Sequence, residues 1–509
     1  FMNFLLALIP ILIILVLMVG LSWKASRAGA VGYLSALILA LTAFETGRAP
    51  LAAAHAKGIF LILDVLYIIW TAYFLYRVVE LAGGIEILSE MMPYLTADRG
   101  MQALLIGWAF ASFLQGVGGF GVPVAVVAPM LVGLGFSPIQ AVVIPSLGHS
   151  WAVTFGSLGS SFNAMMAATG LEPNFLAPPA ALFLGFAGLL IGWVILFQIN
   201  GKTTLRRLWL PAGILGLGMA AAQYFAATRG LWNIAGLTGG SMGLLIGIPL
   251  SKIYRGASTT GEIFDRKKLL TAVSGYLLLI GITLVVQLLP PIRDLLGRWT
   301  IGWTFPAVTT GLGYTTPGGP GRQLYPLRHA GTILLVTSLI SYLFLRRVGW
   351  IQQPKLGLLT KETASRMLPS SVGITSIVLM AVVMQHAGMI DALASGFSSA
   401  VQEAFPLLSP WLGALGAFMT GSNTNSNLVM SQLQLRTAEL LGLPAAVILA
   451  AQTTGGALGS VIAPTKIIVG ASTAGLSGKE GQVLRALLPM IASLLVIISL
   501  LTAVVVGVI

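Results

Sequence analysis

Thr420-Gly421-Ser422-Asn423-Thr424-Asn425-Ser426-Asn427 lies in the middle of an otherwise apolar run, 411–440. Seven of its eight residues carry polar side chains. In hydrocarbon each such group is costly unless it is paired. The stretch is therefore either a polar loop outside a membrane or a break buried inside a membrane protein. A second run, 101–135, is interrupted by Gly116-Val117-Gly118-Gly119-Phe120-Gly121. Each break leaves two pieces of about 14 residues, which rise about 20 Å as helix and fall short of the roughly 30 Å hydrocarbon core.

The rest of the chain sets the solvent. Of 509 residues only 8% are charged and 56% are hydrophobic, with a mean hydropathy of +0.92. A soluble domain carries about 25% charged residues, so the expected surroundings are a lipid bilayer. Apolar segments lie near 2–22, 28–44, 58–82, 101–135, 138–165, 175–199, 208–228, 235–254, 269–290, 329–345, 372–398, 411–440, 443–472 and 484–508. Met2–Leu21 lacks a basic n-region and runs straight into Lys24 and Arg27, so it reads as a first span and not as a signal peptide. The formal charge of +13 is spread over short loops, which argues against a nucleic-acid partner. Cysteine is absent, which excludes disulfides, thiolate metal sites and cysteine nucleophiles.

Charge decides whether the two broken runs cross. If both fold back as re-entrant hairpins, 18 basic residues share one face: Lys24, Arg27, Arg99, those of 202–207, 252–268 and 346–366, Lys479 and Arg485. Seven lie on the other: Arg48, Lys57, Arg229, Arg293, Arg298, Arg322 and Arg328. Arg77, Arg436 and Lys466 fall at membrane depth. The positive-inside bias thus selects twelve spans, two hairpins and both termini outside, in the inner membrane of a prokaryote.

An internal repeat supports the same arrangement. Ala82-Gly83-Gly84-Ile85-Glu86-Ile87-Leu88 resembles Ala387-Gly388-Met389-Ile390-Asp391-Ala392-Leu393 at an offset of 305. That offset also carries Phe113 onto Phe418 and Gly116 onto Gly421, and Leu134–Pro138 resembles Leu441–Pro444 after a small gap. Seven crossings separate the repeated spans, an odd number, so the halves are inverted. The expected fold is an all-α polytopic membrane protein, 1–509 forming one domain. Its repeat cores are 58–165 (hairpin 101–135) and 372–472 (hairpin 411–440).

Gly116–Gly121 matches G-x-G-x-x-G, but it follows an apolar helix, and no βαβ unit or downstream ribose acid accompanies it. The dinucleotide reading fails. Glycines at 116, 118, 119 and 121 let the backbone turn, and the free N–H groups of the outgoing half-helix face an anion; close helix packing without ligand is the alternative. In the second break, Thr420, Ser422, Asn423, Thr424, Asn425 and Asn427 offer amides and hydroxyls to a small carboxylate, a hydroxyl or a cation. The segments after the hairpins are broken too, at Pro145-Ser146-Leu147-Gly148-His149-Ser150 with Thr154–Ser157, and at Gln452-Thr453-Thr454-Gly455-Gly456 with Pro464-Thr465-Lys466. Gln115, Ser150, Thr453, Thr454 and Lys466 join the substrate-binding set, Lys466 as an anion partner or a snorkelling lysine. His149 titrates near neutrality and is the candidate proton carrier, with Asp64 in the third span as fallback; a structural hydrogen bond is the plainer role for each.

Two stretches carry a family resemblance. Phe113-Leu114-Gln115-Gly116-Val117-Gly118-Gly119-Phe120-Gly121-Val122-Pro123-Val124, followed by Leu131–Pro138, resembles the first signature of the L-lactate permease family. Thr420–Leu428, followed by Thr453–Gly459 and Ile462–Pro464, resembles the second. The resemblance covers nearly the full chain and implies a proton-coupled symporter of small 2-hydroxy monocarboxylates such as lactate and glycolate. Family members usually carry Glu where Gln115 stands, Asp at Asn423, Lys at Ser460 and Gln at Lys466. Proton coupling through the usual acids is thereby put in question, and sodium-coupled or uncoupled transport stays open.

Two rival classes are weighed against transport. A channel also uses Gly-rich re-entrant loops, though such filters usually assemble from several copies. An enzyme needs a metal-ligand cluster, a Ser/His/Asp set or paired carboxylates, and none stands at membrane depth. No cofactor is called for. The expected partners are a small organic anion and a coupling cation, H⁺ first, with the anion held between the two hairpin tips.

Overall fold

Glycines, prolines and short polar runs cut the apolar sequence into helices of very unequal length. The computed structural model describes residues 2–507 apart from 18–20, 22, 24, 92–94, 120, 255–264, 322, 353–355 and 477–478. Lys24, Phe120, Arg255, Arg322 and Lys355, named above, lie outside the described residues. The first half comprises α1 (Met2–Leu15), α2 (Ala25–Thr42), α3 (Arg48–Leu81) and α4 (Gly84–Met91). It continues through α5 (Arg99–Gln102), a π-helical stretch at Ala103–Phe110, α6 (Ala111–Val117), α7 (Val122–Gly133), α8 (Pro138–Ser150) and α9 (Gly156–Thr169). The run α10 (Pro173–Thr228) is two helices joined at a kink, Asn200-Gly201, and α11 (Trp232–Ile253) follows. The second half holds α12 (Arg266–Leu288), α13 (Pro290–Leu296), α14 (Ala330–Arg347), α15 (Leu356–His386), α16 (Met389–Val401) and α17 (Phe405–Thr420). It closes with α18 (Asn423–Leu440), α19 (Ala445–Gly459), α20 (Pro464–Thr473) and α21 (Glu480–Val506). Nine helices among the described residues are long and apolar enough to cross a membrane.

The two halves keep step. α2 and α14 begin and end 305 residues apart, and so do the first residues of α4 and α16. Their packing exchanges partners: α2 lies on α15 and α14 on α3, α1 on α16 and α12 on α4. α9 packs on α18 and α20 on α7, while α3 and α15 pack on each other. Two large buried clusters each draw on both halves.

Several boundaries differ from the hydropathy reading. The window 372–398 splits, because His386 ends α15 and Gly388 turns the chain at φ 79° before α16. α15 also starts sixteen residues earlier, at Leu356, since polar turns such as Thr360–Arg366 extend a helix without adding hydropathy. The second break is narrower than the octapeptide: only Gly421 and Ser422 separate α17 from α18, and Asn423–Asn427 already form the first turns of α18. Likewise 452–456 is helical, and the chain leaves the helix at Ser460–Ala463 instead.

Contacts mark the two ends of the bundle. At one, Arg99 donates from Nη2 to Gly135 O at 2.8 Å, so the start of α5 meets the end of α7. Arg207 pairs there with Asp98 at 2.5 Å, and Thr96 donates to Tyr254 O. At the other end, two short antiparallel pairs, β1 (Thr304–Phe305) with β4 (Gly319–Pro320) and β2 (Val308–Thr309) with β3 (Thr315–Thr316), form a cap. Gly311 N–H of this cap donates to Glu45 O at 2.8 Å. Phe405 at the start of α17 shares a buried cluster with Ala438 near the end of α18 and Ile448 of α19, and Leu441 packs against it.

α17 and α19 approach through glycine. A Cβ added to Gly455 would lie 1.9 Å from Pro410 O, and one on Gly413 would lie 1.9 Å from Gln452 O. Gly455→Val is expected to force the pair apart and to destabilise the fold by about 1–3 kcal/mol or more. The loss should register as a smaller monodisperse fraction in detergent chromatography. Gly213→Ala, at a position with no atom within 4 Å of the added carbon, should leave that fraction unchanged.

Candidate functional site: a polar crossing of two broken helices

The chain leaves regular helix between α8 and α9 and again at a kink inside the first turn of α9. Ser157, Leu158 and Gly159 adopt φ of 46°, 57° and 76°. Left-handed backbone costs about 1–2 kcal/mol at each non-glycine residue and persists where the surroundings over-determine it. Those surroundings are polar. α18 begins with Ser422 as N-cap, whose hydroxyl accepts from Asn425 N–H at 3.4 Å. Asn423 and Asn427, four residues apart, then share one face of the helix.

That face meets both breaks. Asn423 Nδ2 donates to Thr154 Oγ1 at 3.0 Å and reaches Thr453 Oγ1 at 3.5 Å. Asn427 Nδ2 donates to Thr453 Oγ1 at 3.0 Å and to Ser161 O at 2.7 Å. The hydroxyls of Thr154 and Thr453 lie 3.1 Å apart, and those of Ser161 and Thr424 3.0 Å apart. All six residues are buried. The cluster joins α18 and α19 of the second half to the α8–α9 break of the first. Among the described residues, Asn423 Oδ1, Asn425 Oδ1, Asn427 Oδ1, Thr454 Oγ1 and Gln115 Oε1 are buried without a hydrogen-bond partner. The donors of Asn423 and Asn427 are thus used within the protein while their acceptor oxygens remain available.

The first tip reaches this cluster through residues 154–161. A Cβ on Gly119 would lie 1.7 Å from Ser157 Oγ and 3.3 Å from Gln115 Nε2, and one on Gly156 2.9 Å from that same nitrogen. Gly116 backs onto Leu237 of α11, Gly118 onto the Tyr76 ring, and Gly121 faces Val469 of α20. Three predicted residues stay local. Ser150 donates to Leu147 O at 2.7 Å, Thr420 to Gly416 O at 2.8 Å, and His149 Nδ1 to Pro145 O at 2.6 Å, with His149 Nε2 buried and unpartnered. No hydrogen bond among the described residues joins His149 to the cluster.

Asp64 stands elsewhere, on the wall of a cavity of about 670 Å³ at the β-capped end. Lys57, Asn163, His329, His386 and Gln432 share this wall. His329 Nε2 lies 2.6 Å from Asp64 Oδ1, and its ring stacks on Tyr67 with centroids 5.1 Å apart. The cavity floor includes Asn163 and Leu428, neighbours in sequence of Ser161 and Asn427, so it abuts the polar cluster. At the opposite end of α3, Arg77 is ion-paired to both Glu80 and Glu362 of α15.

The profile of the L-lactate permease family matches residues 3–509. The chain belongs to that family. It is similar to the glycolate permease GlcA of Escherichia coli K12, 28% identical with 99% of this chain and 96% of the relative covered. The L-lactate permease of Bacillus subtilis strain 168 is 27% identical, with 97% and 94% covered. Among solved structures, the YdaH transporter of Alcanivorax borkumensis aligns over 87% of this chain and 86% of its own at 16% identity and a TM-score of 0.47. This is a multi-pass membrane protein of a permease family.

Lys466, in the first turn of α20, donates from Nζ to Ser460 Oγ at 3.0 Å. The sequence reading named Thr154 and Ser157 only as part of a break, without a binding role, and missed Ser161, Asn163 and His329. The signal for the first four was present, as polar residues inside the apolar run 138–165; His329 lies just before a span and gives no pattern of its own.

Gly456 tests the crossing. A Cβ there would lie 2.1 Å from Asn423 Oδ1. Gly456→Ala is expected to turn the Asn423 amide away from Thr154 and Thr453 and to lower uptake about tenfold, the effect of one buried hydrogen bond lost. Gly481→Ala, with no atom within 4 Å of the added carbon, should leave uptake unchanged in the same assay.

Proposed function

We propose that this chain is a secondary active symporter of small 2-hydroxy monocarboxylates, of which L-lactate and glycolate are the type, working by alternating access. The observation that carries the proposal is the buried bond set Asn423–Thr154–Thr453, where broken helices from both halves meet. Irregular backbone and free acceptors at membrane depth are tolerated only where protein or a watery cavity covers them. First-turn N–H groups of α18 at Asn423 and Thr424 have no acceptor within the helix and suit a carboxylate. The open oxygens of Asn423, Asn425 and Asn427 suit its 2-hydroxyl.

The 305-residue register of α2 with α14 and the exchanged packing support two inverted repeats, with twelve spans and two re-entrant hairpins. The basic residues 99, 202–207 and 346–366 then face the cytoplasm, and the β-capped end and both termini face outward across a prokaryotic inner membrane. In that orientation the cavity opens outward, while Arg77 with Glu80 and Glu362 closes the inner end.

The proton is carried by Asp64 with His329. His329 Nδ1 accepts the Gly331 N–H at 3.1 Å, so its Nε2–H faces Asp64 Oδ1 at 2.6 Å. This carrier lines the cavity, whereas His149 is fully buried, with Nδ1 bonded to Pro145 O, and is not among the cavity-lining residues. A specific observation favours one alternative: free amide oxygens of Gln115, Asn423, Asn425 and Asn427 are also what a sodium ion takes.

Purified protein in liposomes should accumulate labelled L-lactate under an imposed proton gradient, with saturable uptake. Accumulation under a sodium gradient alone would select the alternative reading; unsaturable flux in the absence of any gradient would mean a channel. Asp64→Asn should abolish accumulation yet retain lactate exchange, while His149→Gln should still accumulate; the reverse pattern moves the proton to His149. A cysteine at 203, an exposed position, should label only from the cytoplasmic side and one at 313 only from outside. Labelling of both from one side contradicts the topology.

A further inference from the structure

We infer that the cavity at the β-capped end holds a second, outer binding site for a small carboxylate, centred on Lys57 and flanked by His386. The inference rests on the transport reading for its ligand class, and on the following geometry for its place.

Lys57, Leu61, Asp64 and Ile68 all line the cavity and recur at helical spacing. They form one stripe of α3 running from the mouth to the floor. Lys57 stands seven residues before Asp64, about 10 Å nearer the mouth along the helix axis. Its ammonium makes no ion pair among the described residues and lies 5.4 Å from the centroid of the Phe305 ring. Gly58 packs toward Leu379, so α15 lies directly alongside. From α15 come Gln385 and His386. His386 is 2% exposed, gives Nδ1–H to Val382 O at 2.9 Å, and leaves Nε2 without a partner. Gln432 Oε1 of α18 is also buried and unpartnered on this wall; both it and His386 Nε2 are acceptors, which suit the ligand's 2-hydroxyl, while Lys57 meets the carboxylate.

The other end of the same helix pair shows what is lacking. The 305-residue offset carries Lys57 onto Glu362 and Glu80 onto Gln385. At the closed end, Arg77 sits between the carboxylates of Glu80 and Glu362. At the open end, the corresponding positions hold a cation, Lys57, and a neutral amide, Gln385. The cation has no carboxylate from the chain, and a monocarboxylate arriving in the cavity supplies one. Asp64 lies deeper on the same stripe, so an anion held at Lys57 waits above the group that takes the proton.

The absence of native cysteine makes a direct test possible. Ala381→Cys places a thiol on the cavity wall, to be labelled by a membrane-impermeant maleimide with and without L-lactate, chloride serving as control anion. Lactate should slow labelling at least about fivefold. Protection should persist when the central site is disabled by Asn427→Leu, disappear in Lys57→Gln, and return in Lys57→Arg. No protection, or protection indifferent to Lys57→Gln, overturns the outer site. Uptake is read separately: intact uptake without protection overturns this inference alone. Protection without uptake in the Ala381→Cys parent supports the site and overturns the transport reading.

Discussion

Inside a bilayer no water is at hand to satisfy a polar group, and the rest of this structure follows from that constraint. A helix that breaks at membrane depth must find its partners in protein. Here each half breaks twice, and the polar groups exposed by the breaks are matched across the halves. Asn423 and Asn427 of one half reach Thr154 and the Ser161 carbonyl of the other, with Thr453 between them. The three left-handed residues at Ser157–Gly159 lie in sequence between the bonded Thr154 and Ser161, and Gly159 O accepts from Asn163 Nδ2 at 2.9 Å. Strain, pairing and the place of a binding site thus share one cause.

The sequence made the fold class and the breaks legible because both depend on local composition. Seven polar side chains in an apolar run, or four glycines within six residues, stand out with no knowledge of tertiary contacts. Boundaries were harder to read. α15 begins in a polar stretch because helix propensity, unlike hydropathy, does not stop at the membrane surface, and Asn423–Asn427 are helical despite being poor helix formers because Ser422 caps them. The short β pairs between 304 and 320 left no periodic signal at two residues each.

The site was half visible. Asn423, Thr424, Asn427 and Thr453 were marked by being polar where apolar residues were expected, and the structure joins them. Their partners Thr154 and Ser161 were equally polar but less concentrated. Asp64 was singled out, whereas His329, 265 residues away, could be found only by folding the chain. His149 attracted notice for its chemistry, yet its Nδ1 is engaged by its own helix at Pro145. A titratable group is informative only with its neighbours in view.

The α3–α15 pair gives the account its direction. It carries Arg77 between two carboxylates at one end and Lys57 and Asp64 on a cavity wall at the other. Under the proposed alternating access, such an asymmetry in otherwise matched halves is what admits one path at a time.

The central claim is that substrate is handled where the breaks of the two halves bond to each other. A double-mutant cycle tests it most directly, with Thr154→Val, Asn423→Leu and the pair compared by kcat/KM for lactate uptake at equal amounts of folded protein. Bonded partners acting as one unit predict that the double variant is little worse than either single one. Two losses that simply multiply, or single variants that transport normally, would contradict the account.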